Sequence, residues 1–380
     1  MIKNLVFHIG DPKCGSTAIQ AAMRKNACVP EKTTLVSQPE TNASVLANVI
    51  AKGNQQRIKR LLNAKRAWCE SNTADVGIIS AEFFERVAPA QFDAALKEHL
   101  PEYSQDVRAI AYVRSHSGRL ISGYAQRIKT GAFTGNLDEF TGIMCGGTLL
   151  QYHPRFLGWK KLLQERFTLR PFMYGELKSN DIVDDFFSHL LGGERYKLES
   201  VEPSNESLSL EELSGLLIVQ EGLIQGGVPK HLRLPLGAAV ARQLSGKSNR
   251  LWTKLRLDKR NAEKMYARFK DDARALDAEF FQRPLMESEL LRAIETSIET
   301  PQSLNASQFF SDRKIKKLRE ASERISQFSA EDMKSWHKEY QVETGQLSGE
   351  RPKKATFKRL MAPERQVWKA VDEIVSHLLP

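Results

Sequence analysis

A glycine-containing turn between an apolar run and an amphipathic segment constrains this chain more than any other feature. Apolar residues 5–9 predict a buried strand, and residues 16–26 have the spacing of an amphipathic helix. The turn between them is punctuated by Gly10, Pro12 and Gly15. Free N–H groups at the start of a helix, together with the helix dipole, favour a phosphate there. The sequence therefore predicts a strand, an anion-binding loop and a helix in immediate succession.

The position of the lysine in this loop separates it from the loop of ATP-using P-loop enzymes. Gly10 and Gly15 have the Gly-x-x-x-x-Gly spacing, but Ser16 follows where those enzymes carry lysine. The lysine of this loop is Lys13, which is placed to contact the bridging oxygen of a 5′-phosphate rather than a γ-phosphate. A P-loop kinase or nucleotide-binding enzyme that uses ATP remains the alternative, although the chain has no convincing Walker-B pattern.

A second pattern combines an arginine with a hydroxyl. Residues 107–113 predict another buried strand, which ends at Arg114, and Ser122 lies eight positions further on the helix predicted to follow. A guanidinium at a strand end and a hydroxyl on the next helix can converge on one anion. Both patterns are then expected at the carboxyl edge of one parallel sheet, where ligands bind in such folds. The alternative is a surface ion pair and a solvent-facing serine.

Together the two patterns resemble the sulfotransferases that use 3′-phosphoadenosine 5′-phosphosulfate (PAPS). Residues 12–17, Pro-Lys-Cys-Gly-Ser-Thr, are similar to the phosphosulfate loop of that family, and Arg114 with Ser122 matches its Arg-x7-Ser signature for the 3′-phosphate. The resemblance covers roughly residues 1–290. It implies that the cofactor-binding residues are Lys13, Cys14, Gly15, Ser16, Thr17, Arg114 and Ser122. It also implies PAPS as co-substrate, adenosine 3′,5′-bisphosphate (PAP) as product, and a transfer without a metal.

The catalytic residues implied by the resemblance are Lys13 and Glu82. Glu82 follows a strand predicted at 76–80, at the position where carbohydrate sulfotransferases carry a general base. A sugar hydroxyl needs such a base because it is a poor nucleophile until its proton is removed. The alternative for Glu82 is a first-turn carboxylate that stabilises a helix dipole. Glu85 and His116 are the substitutes for the base, whereas His8 is expected to be a core residue.

The charge of the chain favours anionic partners. Lys and Arg number 56 against 46 Asp and Glu, which gives a formal net charge of +10. A nucleotide co-substrate and a glycan acceptor fit this balance, the acceptor being a capsule, an exopolysaccharide or a lipid-linked sugar. Nucleic acid is not expected, because the chain has neither zinc-finger spacing nor an RNP-type motif. A non-catalytic glycan-binding protein is the remaining alternative. The sequence specifies no oligomeric state.

Cysteine spacing and hydropathy indicate a cytoplasmic protein. The four cysteines, Cys14, Cys28, Cys69 and Cys145, form no Cys-x-x-Cys pair, which argues against a zinc site and a disulfide framework. Cys14, next to a helix start, is either a reactive thiol or a residue that contributes only its backbone N–H. No apolar run reaches 18 residues, so a transmembrane segment is not expected. Peripheral contact with a membrane is left open.

Alternating strands and helices predict an α/β fold. We expect a three-layer, P-loop-like fold with a central parallel sheet flanked by helices, followed by a helical C-terminal extension. Its strands are predicted at 4–10, 76–80, 107–113 and 167–174, and residues 142–147 are expected to form a glycine-rich connection.

The domain prediction divides the chain at residue 300. Residues 1–300 form the sulfotransferase domain, with a PAPS-binding core at 1–200 and a helical part at 205–300. Residues 301–380 form the extension. Its last helix carries an apolar stripe between Val367 and Leu378, which we expect to pack on the protein's own core.

Overall fold

The computed structural model describes residues 1–199, 207–245, 247, 253–331, 358 and 362–379. The chain divides into two compact units, each built from separate stretches of sequence. The first unit consists of Met1–Arg119, Thr148–Ser204 and Met265–Arg292, and the second of Leu120–Gly147, Asn205–Lys264 and Ala293–Pro380. The boundary expected at residue 300 lies within the last of these stretches, and a functional division there stays a prediction.

A five-stranded parallel sheet flanked by helices forms the centre of the first unit, so the chain is an α/β protein. Its strands occur in the order β3-β4-β1-β5-β6, while β2 and β7 pair antiparallel in a small second sheet. The strands are β1 (Ile2–His8), β2 (Cys28–Pro30), β3 (Leu35–Ser37), β4 (Ala74–Ser80), β5 (Arg108–Val113), β6 (Phe167–Pro171) and β7 (Tyr196–Leu198).

Strand β1 occupies the middle of the sheet. Leu5, Val6 and Phe7 are all buried, which is the continuous apolar pattern of a strand covered on both faces. Phe7 pairs with Ile79 of β4 on one side and with Ala109 of β5 on the other. Because all three strands are parallel, the segments that follow them emerge side by side at one edge of the sheet.

The helices in the described residues are α1 (Ser16–Lys25), α2 (Ser44–Ala51), α3 (Gln55–Ser71), α4 (Pro89–His99), α5 (Pro101–Ser104), α6 (His116–Lys129), α7 (Leu137–Gly146), α8 (Tyr152–Leu163), α9 (Ile182–Leu190), α10 (Leu210–Gln225), α11 (Lys230–Leu244), α12 (Lys259–Leu276), α13 (Leu285–Glu295), α14 (Asp312–Glu331) and α15 (Ala362–Leu378). A 3-10 turn covers Glu82–Arg86, and a π-helical turn follows α12 at Asp277–Phe281. The four strands expected from the sequence are confirmed as β1, β4, β5 and β6, with ends shifted by up to three residues.

The glycine-rich connection expected at 142–147 is wrong. Most of that segment belongs to α7, which begins with a capping box: the Asn136 side chain accepts from the Glu139 N–H at 2.9 Å. Phe140 and Met144 of α7 are buried. The cap and this apolar face outweigh the low helix propensity of the glycines.

The core of the first unit includes residues from α1, α9 and the strands. Ile19 and Met23 of α1 lie in one buried cluster with Val183 and Phe186 of α9 and with Val6 of β1. This cluster fixes the start of α1 against the end of β1, and so positions the loop between them.

The second unit is helical in its described part. A buried apolar cluster joins residues of α10, α11, α14 and α15. The stripe expected on the last helix is confirmed as part of this cluster; its members are Val367, Trp368, Val371, Ile374, Val375 and Leu378. Within the described residues, no helix is both long and apolar enough to cross a membrane.

Candidate functional site

The loop after β1 is held in place by backbone hydrogen bonds to β5. The Asp11 N–H donates to the Tyr112 carbonyl at 2.8 Å, and the Tyr112 N–H donates to the Gly10 carbonyl at 2.7 Å. Gly15 caps α1, and its carbonyl accepts the Ala18 N–H at 2.9 Å. The first turn of α1, all of which is described, contains no acidic residue. The positive end of the α1 dipole therefore faces the loop with no acidic side chain in the helix's own first turn.

Two glycines allow close packing around this loop. Gly10 has φ +102°, and a Cβ there would lie 2.7 Å from the Glu82 carbonyl oxygen. Gly15 has φ +79°, and a Cβ there would lie 2.8 Å from Cγ1 of Ile182. Both distances are shorter than real contacts of a Cβ, and both φ values are in the left-handed region. Glycine is therefore required at each position, and the loop lies directly against the backbone of Glu82.

The other predicted loop residues differ in exposure. Ser16 is buried and its hydroxyl donates to the Asp11 carbonyl at 3.5 Å, whereas Thr17 is exposed. The Cys14 thiol is buried and lies 3.8 Å from the Pro12 carbonyl oxygen. Burial raises the pKa of Cys14 to about 12, which is opposite to the lowered pKa that a reactive thiolate needs.

Glu82 begins the 3-10 turn that follows β4. The Ala81 N–H donates to the His8 carbonyl at 3.0 Å, which ties this turn to the end of β1. Burial raises the pKa of Glu82, while the positive charge of Lys13 opposes the shift. Burial also lowers the pKa of Lys13, and here the negative charge of Glu82 opposes the shift. The two predicted catalytic residues are therefore brought together and stabilise each other's charged form.

Arg114 directs its side chain back towards the loop. Its Nη1 donates to the Lys13 carbonyl at 3.4 Å, and its guanidinium lies 5.7 Å from the centre of the Phe172 ring. A Cβ at Gly118 would lie 2.9 Å from Nε of Arg114, so this glycine leaves room for the arginine. Ser122 lies half-buried on α6 and belongs to the second unit, and its convergence with Arg114 stays a prediction.

Sequence reasoning missed a buried ionic cluster beneath the loop, which we call the Asp11–Glu85 cluster: Asp11, Glu85, Arg119 and Arg155. Nη2 of Arg155 lies 2.5 Å from Oδ2 of Asp11, and Nη2 of Arg119 lies 3.7 Å from Oε2 of Glu85. The Asp11 and Glu85 side chains are each only 2% exposed. Asp11 and Arg119 lie within the two sequence motifs, so the sequence could have indicated them as members of the site. No motif near Arg155 indicates that it belongs there.

Glu85, named as a substitute for the base, belongs to this cluster. Burial and the negative charge of Asp11 raise the pKa of Glu85 to about 7, while Arg119, Arg155 and Arg86 oppose the shift. Its Oε2 atom is buried without a hydrogen bond among the described residues. Glu85 is thus engaged with arginines, which favours Glu82 as the carboxylate available to a substrate.

The two histidines of the sequence analysis have structural surroundings. His116 is buried, with Nε2 3.1 Å from Oδ2 of Asp272 and its ring stacked on Phe269. This engagement favours Glu82 over His116 as the base. His8 is buried with Nδ1 2.8 Å from the Ser80 hydroxyl, and burial lowers the pKa of His8 to about 4. His8 is confirmed as a core residue.

Similarity to known proteins gives no further constraint. No family model, curated protein or solved structure matches this chain.

In the part of the chain that the structure describes, no group of three or more His, Cys, Asp or Glu side chains is arranged to hold a metal ion. Cys14, Cys28, Cys69 and Cys145 all lie in the described part of the chain, and no disulfide joins any two of them. A function must therefore be inferred from the arrangement of Lys13, Glu82, Arg114 and their neighbours.

Proposed function

We propose that this protein is a sulfotransferase that moves a sulfuryl group from PAPS to an acceptor hydroxyl and releases PAP. One observation carries the proposal: the Lys13 loop, Glu82 and Arg114 follow the adjacent strands β1, β4 and β5 and meet at their carboxyl ends. Ligands of open parallel sheets bind at this edge. An anion-binding loop, a half-buried carboxylate and an arginine in one place are the groups that such a transfer needs.

The same proposal includes a three-layer, P-loop-like fold. Its support is the succession of a central strand, a loop containing Gly10 and Gly15, and the N-terminus of α1. The loop N–H groups and the helix dipole are suited to an anionic 5′-phosphosulfate. Lys13 is the lysine of this loop, and Ser16 follows the second glycine where ATP-using enzymes carry lysine.

In the proposed reaction the acceptor oxygen attacks sulfur while the bond from sulfur to the bridging phosphate oxygen breaks. The acceptor hydroxyl gives its proton to the Glu82 carboxylate. The Lys13 ammonium stabilises the negative charge that develops on the departing phosphate oxygen of PAP. Atoms and charges balance, because the acceptor oxygen loses its proton to Glu82 and gains the sulfuryl group that PAP gives up.

The ionisation of Glu82 suits this role. A general base works best when its pKa lies near the working pH, and burial moves the pKa of Glu82 upwards in that direction. The charge of Lys13 limits this shift and so keeps a carboxylate available. Glu82 and Lys13 together place a proton acceptor and a leaving-group stabiliser in one small region.

A carbohydrate hydroxyl is the acceptor we favour, from a capsule, an exopolysaccharide or a lipid-linked sugar. A sugar hydroxyl requires a base such as Glu82, and the net charge of +10 favours a polyanionic glycan. The cytoplasmic location stays a prediction from the sequence.

Calorimetry with PAP and with ATP–Mg²⁺ provides the first test. We expect PAP to bind the full-length protein at least about tenfold more tightly than ATP–Mg²⁺, a difference of about 1.4 kcal/mol. Arg114→Ala should weaken binding of PAP but leave binding of 3′-dephosphorylated adenosine 5′-phosphate unchanged. Preference for ATP–Mg²⁺ would favour a kinase instead, and equal losses for both nucleotides would contradict the assignment of Arg114.

Transfer of radiolabelled sulfate from PAPS to a panel of extracted glycans provides the second test. We expect label in at least one carbohydrate fraction and none with Glu82→Gln over the same time. A protein that binds PAP but labels no acceptor, carbohydrate or otherwise, would be a non-catalytic binding protein.

A further inference from the structure

A stretch of chain without any acidic residue lies beside the candidate site. Residues 41–69, all of which are described, contain six lysines and arginines but neither aspartate nor glutamate. Two of the six have acidic partners from outside the stretch. Lys65 pairs with Glu40, and Nε of Arg66 lies 3.4 Å from Oε1 of Glu102.

The other four basic residues form a surface that we call the basic face: Lys52, Arg57, Lys59 and Arg60. Each is exposed, and no acidic side chain among the described residues pairs with any of them. Lys52 ends α2, and the other three lie on the first turns of α3. Arg57 and Arg60 are three positions apart, so their like charges repel each other on the helix surface. An anionic partner relieves this repulsion.

The ion pair of Lys65 shows where the basic face lies relative to the sheet. Its partner Glu40 follows β3 by three residues, at the carboxyl edge of the sheet. Arg57 and Arg60 precede Lys65 by eight and five positions, which is about 7–12 Å along the helix axis at about 1.5 Å per residue. Helix α3 runs from this edge towards the start of β4. The basic face therefore lies at the same edge of the sheet as Glu82.

Helix α2 connects the basic face with the turn that carries Glu82. The Ala43 N–H, at the start of α2, donates to the carbonyl of Ser80, the last residue of β4, at 2.8 Å. Helix α2 packs against both α3 and the 3-10 turn. On that turn the Arg86 side chain is 57% exposed, and its guanidinium lies 5.0 Å from the centre of the Phe83 ring. Arg86 thus places one more exposed positive charge on the turn of the proposed base.

The composition of the basic face favours a sugar polymer over a nucleic acid or a lipid surface. Residues 52–64 contain no aromatic residue on which the bases of a single strand could stack. Ile58 and Leu62 are buried, so the apolar side of α3 faces the protein rather than a bilayer. Gln56 and Asn63 are exposed, and their amide groups can form hydrogen bonds with sugar hydroxyls.

We propose that the basic face, together with Arg86, binds the acceptor as an anionic glycan that carries carboxylate or sulfate groups along its chain. This inference rests on the proposed function, since the acceptor hydroxyl must reach Glu82. It assigns a surface to the acceptor: anionic groups away from the reacting sugar bind the basic face, and those next to it bind Arg86. Neither contact takes part in the transfer itself.

Binding of labelled dextran sulfate to the full-length protein tests this surface without an activity assay. Neutral dextran of the same chain length is the matched ligand. We expect dextran sulfate to bind, with an affinity that falls as salt is added, and neutral dextran not to bind. The combined variant Arg57→Gln, Lys59→Gln and Arg60→Gln should weaken the binding of dextran sulfate about tenfold or more at low salt. Arg57→Lys combined with Arg60→Lys keeps both charges and should bind within about threefold of the parent protein.

A second triple variant with the same loss of charge is the control. Arg24 and Lys25 are exposed on the last turn of α1, which leads away from the carboxyl edge, and Lys161 is exposed on the last turn of α8, which leads to the start of β6. Their combined substitution by Gln should weaken binding less than about threefold. Equal losses in the two triple variants would overturn the inference, because net charge alone would then explain the binding. Tighter binding of single-stranded DNA or of anionic vesicles to the same surface would also overturn it.

Sulfate transfer separates this inference from the proposed function. With an anionic glycan as acceptor, the first triple variant and Arg86→Gln should each raise KM for the acceptor and leave kcat and KM for PAPS unchanged. A selective loss of dextran sulfate binding in a protein that transfers no sulfate would refute the proposed function and leave the basic face as a surface for anionic glycans. Transfer to a neutral glycan at an unchanged rate in the first triple variant, with no transfer to anionic glycans, would support the proposed function and overturn the inference.

Discussion

The Arg155 guanidinium lies 2.5 Å from the Asp11 carboxylate, measured from Nη2 to Oδ2, although the two residues are 144 positions apart in the chain. Asp11 lies in the loop between β1 and α1, and Arg155 lies on α8. The Asp11 N–H is bound to the carbonyl of Tyr112, so both the backbone and the side chain of this residue are fixed. Contacts within the protein itself therefore hold the loop in this shape.

Arg155→Met should destabilise the first unit. The substitution leaves the Asp11 carboxylate buried without its partner, and breaking a buried ion pair from one side costs about 3–5 kcal/mol. Thermal and denaturant unfolding, with hydrogen exchange at Asp11 and Tyr112 amides, measure this loss.

An exposed ion pair serves as the control for Arg155→Met. Lys97 and Asp93 on α4 form such a pair at 2.8 Å, with the lysine side chain 56% exposed. Lys97→Met should change the free energy of unfolding by less than about 1 kcal/mol. Combining Arg155→Met with Asp11→Asn should recover part of the loss, because the uncompensated charge is then gone. A single Arg155→Met variant as stable as Lys97→Met would show that the Asp11 pair contributes little.

Lys13→Ala and Glu82→Gln should each reduce the turnover of sulfate transfer by about 10²-fold or more. Lys13→Ala removes the charge that we propose stabilises the leaving oxygen, and Glu82→Gln removes the proposed base. Steady-state rates with PAPS and the best glycan acceptor measure both effects. Lys25→Ala and Glu70→Gln, at exposed positions of α1 and α3, are matched controls that should retain the parent rate. If Glu82→Gln is as active as Glu70→Gln, the base is another residue.

The sequence predicted the central strands of the sheet, which carry the candidate site, better than the strands at its borders. Strands β1, β4 and β5 are continuous apolar runs buried on both faces, a pattern that the sequence shows plainly. Lys13, Glu82 and Arg114 lie in the segments that follow these strands. Strand β3 is only Leu35–Ser37, too short for a pattern to emerge, and its place at the sheet edge depends on pairing with β4.

Long-range ion pairs are the part of the site that sequence could not provide. Asp11 was visible within the loop motif, but its partner Arg155 lies on α8 in a segment without any motif. Asn136 and Glu139 illustrate a local failure: their capping box outweighs the glycines of α7, and composition alone favoured a loop there. Local patterns predicted the elements, whereas tertiary packing determined the charge cluster.

Gly10→Ala should disrupt the loop between β1 and α1. The new Cβ would lie 2.7 Å from the Glu82 carbonyl oxygen, and Gly10 has φ +102°. The substitution therefore combines backbone strain with a clash against the 3-10 turn that carries Glu82. We expect a loss of stability of about 2 kcal/mol or more, together with weaker PAP binding by calorimetry.

Gly53→Ala isolates the backbone part of the Gly10 effect. Gly53 also has a positive φ of +65°, but a Cβ there meets nothing within 4 Å. Its substitution should cost only about 1 kcal/mol and leave PAP binding unchanged. Equal losses in Gly10→Ala and Gly53→Ala would mean that the contact with Glu82 contributes nothing.

The buried His8 should make stability depend on pH between about 4 and 6.5. Burial lowers the pKa of His8 in the folded protein to about 4, while the unfolded chain has the ordinary value of 6.5. Between these values the unfolded state binds more protons, so stability increases as the pH rises and is lost as it falls. The full effect is about 3 kcal/mol.

His8→Gln measures this contribution by difference. Glu85 acts in the opposite direction, since its raised pKa of about 7 makes the folded state bind more protons between about 4.5 and 7, and its contribution decreases as the pH rises. Subtracting the unfolding free energy of His8→Gln from that of the parent protein at each pH removes the Glu85 effect. A difference that stays constant from pH 4 to 6.5 would exclude His8 as a source of pH dependence.

Trp368→Ala should destabilise the helical second unit. Trp368 lies on α15, is 1% exposed, and belongs to the apolar cluster that joins α15 to α10, α11 and α14. Removing a buried tryptophan side chain costs about 3–5 kcal/mol, because apolar contacts are lost and a cavity remains.

Lys369→Ala, at the next and exposed position, should leave stability within about 0.5 kcal/mol of the parent protein. Hydrogen exchange followed by mass spectrometry can locate the effect: α10 and α14 should lose protection in Trp368→Ala and keep it in Lys369→Ala. Unchanged protection of both helices in Trp368→Ala would contradict the packing of α15 against α10 and α14 in this cluster.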